Sequence, residues 1–173
     1  NYPQNSEFGA SLRDVAKILK YKQINGTPGS SIFSLERGQF DTHGTQLQVL
    51  PGLIDDMALS LRALIDDLIT IGVWSNTVIC LYSEFGRATA QNGPDIYTGS
   101  DHGGSTTMLL LGGGLNHTTS SVVGPIPSAT DILSYTKMPL GVDFRNVFAE
   151  MVRFIGFDPD LIFTSPYVKQ NLQ

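Results

Sequence analysis

The side chains best suited to chemistry in this sequence are Asp41, His43, Glu84, Arg87, Asn92, Asp101, His102 and His117. Carboxylates and imidazoles together are the donor set of Zn, Mn or Mg rather than of a soft metal. Asp41 and His43 lie two positions apart, a spacing that lets both side chains turn to one side of an extended or loop backbone. Asp101 and His102 are adjacent, and Glu84 stands three residues before Arg87. This spacing is not a diagnostic short metal motif, so a metal centre and a structural polar network both remain open. A serine hydrolase is disfavoured, because no Gly-x-Ser-x-Gly turn occurs. Neither is there a Gly-Lys-Ser/Thr phosphate loop. His117, next to Asn116 and two threonines, reads as a surface loop residue.

These side chains need a scaffold. Leu12, Val15, Ala16 and Leu19 recur at helical spacing and predict a helix from Ser6 or Ala10 to Lys20. Pro51 to Ile71 predicts the clearest helix, with Leu53, Ile54, Met57, Leu61, Leu64 and Leu68 on one face. Pro51 suits its first turn and Gly72 its stop. Asp55, Asp56, Asp66 and Asp67 read as the solvated face of that helix, with Arg62 paired to Asp66. Phe144 to Ile155 predicts a last helix, capped by Asp143 and stopped at Gly156. Strands are expected at Ser31–Leu35, Thr77–Tyr82 and Thr106–Leu111, with a short fourth at Ser120–Val123. A strand, the Pro51 helix and a second strand predict a right-handed βαβ unit with parallel strands. The expected fold class is therefore α/β, a mostly parallel sheet with flanking helices and the chemistry at its carboxyl edge.

The bulk composition narrows the function. The chain of 173 residues carries 41% hydrophobic and 16% charged residues and a net charge of -5. Its length fits one domain with a real core. No Lys/Arg cluster offers a face for nucleic acid, and no apolar run is long enough for a membrane span. Cys80 is the only cysteine and reads as a small buried hydrophobe. No basic segment followed by an apolar run opens the chain.

At its polar motifs the chain resembles a known family. Phe40-Asp41-Thr42-His43, Ser83-Glu84-Phe85-Gly86-Arg87, Asn92 and Gly99-Ser100-Asp101-His102-Gly103 look like the DUF1501 family. The segment Asp143 to Glu150 continues the likeness. Two positions depart from it. Gln39 stands where a glycine often precedes the aromatic residue, and Ala88 where threonine usually follows the arginine.

The resemblance implies an alkaline-phosphatase-like fold of which this chain, expected as a single domain over 1–173, is the C-terminal part. It also implies kinship with sulfatases, export from the cytoplasm, and hydrolysis of sulfate or phosphate esters with a divalent ion (Zn, Mn, Mg or Ca). On that reading Asp41, His43, Glu84, Asp101 and His102 hold metal, while Arg87 and Asn92 contact the oxygens of a small anionic ester. Phe85 stands where the superfamily has a histidine ligand, which weakens the ligand set. The competing expectation is a non-catalytic exported binding or surface protein on the same scaffold. Association with a missing N-terminal part or with another chain is expected in either case.

Overall fold

A computed structural model describes residues 1–115, 122–124, 126–130 and 141–163. They form two compact units: residues 1–77 with 90–101, and residues 78–89 with 102 onward.

The first unit is built on two helices. Helix α1 spans Glu7–Ile24 and starts at Ser6, whose side chain accepts a hydrogen bond from the Gly9 N–H at 2.8 Å. That bond satisfies one of the amides a helix start leaves open. Helix α2 spans Gln46–Ile71 and ends at Gly72, which adopts the left-handed conformation (φ 84°) favoured at a helix stop. It begins five residues before Pro51, so the proline lies inside the helix rather than in its first turn.

The helices bury Leu12, Val15 and Ala16 of α1, and Leu53, Leu61, Leu64 and Leu68 of α2. Gly9 comes close to Ser60, which is fully buried on α2. The aspartates of α2 are partly engaged. Asp56 accepts from Arg37 at 2.8 Å, Asp66 from Arg62 at 3.0 Å, and Asp67 from the Tyr2 hydroxyl at 2.9 Å.

Among the described residues the expected parallel sheet is not found. Strand β1 (Ile79–Leu81) pairs antiparallel with β4 (Leu109–Leu111), placing Cys80 opposite Leu110. Strands β2 (Gly86–Gln91) and β3 (Ser100–Gly103) form a second two-stranded antiparallel sheet. The Ser31–Leu35 segment forms no strand. Ile32 is 77% exposed there, and Leu35 is exposed as well. Without a first strand there is no βαβ crossover. A short apolar run looks the same to periodicity whether or not a partner strand exists, and this one has none.

In the second unit, helix α3 (Phe144–Phe154) begins at Asp143, whose carboxylate accepts from the Arg145 N–H at 2.9 Å and from its guanidinium. Those bonds hold the Asp143 carboxyl below the usual carboxylate range. Val147 and Ala149 are buried, and Phe148 packs edge-on against Tyr82 with ring centroids 5.2 Å apart. Gly156 closes the helix in a left-handed conformation (φ 89°). Burial raises the pKa of the Cys80 thiol, as expected of an inert half-buried cysteine. No helix among the described residues is long and apolar enough to cross a membrane. His117 and the first half of the expected strand at Ser120–Val123 lie outside the described residues.

Candidate functional site

In the first unit, Asp41 and His43 sit on the loop that leads into α2. This loop is tied to the segment between β2 and β3. Gly44 bridges to Thr98 in antiparallel fashion, and the Thr45 N–H donates to the Tyr97 carbonyl at 2.6 Å. The Ser100 hydroxyl donates to the Gln46 side chain at 3.2 Å. Gly99 fits because it has no side chain: a Cβ there would collide with the Thr42 carbonyl oxygen. Two residues carry strained backbone at the loop's ends. Gln39 (φ 72°) and Thr45 (φ 51°) both take the left-handed conformation that suits glycine. The glycine that Gln39 replaces in the resemblance above would hold that position without strain.

These ties bring Asp41, His43, Asn92 and Asp101 together. His43 Nε2 lies 3.0 Å from Asp41 Oδ1, and His43 Nδ1 lies 3.2 Å from Asp101 Oδ1. Asn92 Nδ2 donates to the His43 carbonyl at 2.9 Å and to Asp101 Oδ1 at 3.2 Å. The same amide's oxygen accepts from the Gly99 N–H at 3.1 Å. Asn92 therefore joins both loops and fixes the carboxylate that faces the imidazole.

The histidine sets the chemistry. A neutral imidazole donates from one nitrogen and presents a lone pair on the other. Here a carboxylate oxygen faces each nitrogen. The pairing is satisfied either by a second proton on the ring or by a cation beside the lone pair. The donor set fits a divalent ion. Ligand atoms bound at about 2.1 Å lie roughly 3 Å from one another, the spacing of Asp41 Oδ1 and His43 Nε2. An Nδ1–H held by a carboxylate, as Asp101 holds His43, is the usual support behind a metal-binding imidazole. The cluster is open to solvent, with the Asp41 and Asp101 side chains 57% and 69% exposed. Exposed ion pairs of this kind add little to stability.

Glu84, Arg87 and His102 fall in the second unit, and there an aromatic ring organises them. The His102 imidazole stacks on Phe85 with centroids 4.1 Å apart and an 8° interplanar angle. The Arg87 guanidinium carbon lies 5.0 Å from the centre of the same ring. Phe85 thus gathers two potential cations by stacking and cation–π attraction. Glycines again permit the close approach. A Cβ on Gly86 would collide with Ser105, and one on Gly103 with the Arg87 carbonyl. Glu84 is exposed on the turn between β1 and β2. By position in the motif alone, Phe85 marks a lost ligand. The alternation of Phe85, Arg87 and a later histidine was the available signal for a stacking platform.

No curated protein and no solved structure matches the chain. A family profile does match it over residues 26–170, and it contains all of the residues just described. The chain belongs to that family, DUF1501, a protein family of unknown function.

Proposed function

We propose that this chain carries the metal centre of a hydrolase acting on sulfate or phosphate esters. The observation that carries the reading is His43, with a carboxylate oxygen 3.0 Å from one ring nitrogen and 3.2 Å from the other. Asp41 and the Nε2 atom of His43 would hold the ion, and Asp101 would orient the ring through Nδ1–H. When bound, a divalent ion polarises the ester oxygen and stabilises charge on the leaving group. The remaining tasks fall to the chain's own residues. Asn92 keeps Asp101 facing the ring, and Arg87 offers a two-pronged donor to anionic oxygens. The ester class itself comes from the sulfatase-like resemblance of the motifs.

Elemental analysis of the purified protein tests the reading, with Asp41→Ala as the control. A stoichiometric divalent metal that is lost in the variant supports it, and no metal in either protein sinks it. Glu84→Ala and His102→Ala belong in the same assay, because the sequence singles out both. A second reading, a non-catalytic binding or surface protein, draws on Phe85. An aromatic platform for two polar side chains is also what a purely structural cluster would use. Turnover of aryl sulfates or aryl phosphates by the metal-loaded protein would eliminate this alternative.

A further inference from the structure

Helix α1 carries a face that neither the core nor the candidate metal centre uses. Arg13, Lys17, Lys20 and Ile24 follow one another at i, i+4, i+7 and i+11, which aligns them along the helix. Tyr21, four residues after Lys17, lies beside this row, and Ile18 lies further round the exposed side of the helix. The apolar members are unusually open: Ile18 is 48% exposed, Tyr21 67% and Ile24 71%. Lys22 stands next to them, its amino group bonded to the Gly29 carbonyl and the Ser31 hydroxyl. In a chain of net charge -5, the four cations Arg13, Lys17, Lys20 and Lys22 flank these apolar residues along one short stretch. The acids on this side of α1 are Glu7 and Asp14, the latter paired with Lys17 at 2.8 Å.

A groove of about 390 Å³ runs along the row. Arg13, Lys17 and Lys20 line it from α1, and Asp67 and Thr70 line it from α2. The Asp67 carboxylate accepts from the Tyr2 hydroxyl at the same edge.

We propose that this face of α1 docks on an anionic phospholipid surface. Charge complementarity selects the sign of the partner. The apolar residues select a bilayer over an acidic protein segment. Two isoleucines and a tyrosine that protrude from a convex helix suit insertion at the headgroup level, where tyrosine is favoured. Long lysine stems bury their methylenes while their ammonium groups stay among phosphates. The groove beside Lys17 and Lys20 has room for a phosphate-bearing headgroup. The helix would lie on the membrane rather than cross it.

The experiment is co-sedimentation of the full chain with phosphatidylcholine vesicles containing about a third phosphatidylglycerol, at low salt. The protein is expected in the pellet with these vesicles and in the supernatant with phosphatidylcholine alone. Lys17→Gln with Lys20→Gln is expected to weaken binding about thirtyfold, at a few-fold or more per lysine near an anionic surface. Both residues are exposed, so the variant should melt like the parent. Tyr21→Ser with Ile24→Ser is expected to weaken binding while leaving its salt dependence in place. Equal binding to neutral and anionic vesicles, or none to either, would overturn the proposal. So would unchanged binding of the double-lysine variant. Binding to polyglutamate but not to vesicles would assign the face to an acidic protein instead.

Discussion

The two histidines singled out by the sequence, His43 and His102, occupy opposite kinds of environment. His43 has a carboxylate at each ring nitrogen, so its edge is engaged. His102 has its face engaged by the Phe85 ring. An imidazole addressed at its nitrogens is placed for proton or metal chemistry. Stacking on a phenyl ring fixes the plane of an imidazole and does not by itself withdraw its nitrogens from metal chemistry. Residue type and position in a motif did not separate them, because both are followed by glycine or a short polar turn and both sit near an aspartate in sequence. What separates them is which partner reaches the ring, and that depends on contacts across many residues.

The largest expected effect comes from removing the engaged edge. His43→Ala is expected to lower affinity for a divalent metal at least about a hundredfold, measured by competition with a chelating dye. Gly99→Ala is expected next, at about 2–3 kcal/mol of stability in thermal or urea unfolding, because the added methyl meets the Thr42 backbone. Asn92→Ala should reduce metal affinity by about ten- to a hundredfold and also cost about 1–2 kcal/mol in unfolding, because its side chain both orients Asp101 and ties the two loops. Phe85→Leu should cost about 1–2 kcal/mol through the lost stack and cation–π contact, and leave metal affinity unchanged. The smallest effect is expected from Gln39→Gly, a gain of up to about 1 kcal/mol if relief of the left-handed strain outweighs added freedom in the unfolded chain.

The helices were legible because their signals are local. Ser6, Gly72, Asp143 and Gly156 mark ends that a few neighbouring residues decide. The sheet was not legible, since pairing depends on which strands meet. Thr77–Tyr82 and Thr106–Leu111 were correctly seen as strand-bearing, yet their antiparallel pairing could not be read from either run alone. No strand is expected between Arg87 and Asp101, yet the stretch contains most of a hairpin. Its β2 strand, Gly-Arg-Ala-Thr-Ala-Gln, lacks the apolar alternation that marks a strand. Asp41, His43 and Asp101 were found by residue type. The loop-joining bonds of Asn92 were not legible, because its partners, the His43 carbonyl and Asp101, are set by the fold.

The first turn of α2 has no side-chain cap; its start is finished by Tyr97 and Thr98 carbonyls, about fifty residues further along the chain. The Gln46–Ser100 contact spans 54 positions. Closing a loop of that length is an entropic cost that a local cap avoids. The opening turn of α2, and with it the Asp41–His43 loop, should therefore assemble late in folding, after the body of the helix has packed on α1. In hydrogen exchange the Thr45 and Gln46 amides should report the hairpin's arrival rather than the helix's formation, and should open whenever the hairpin detaches.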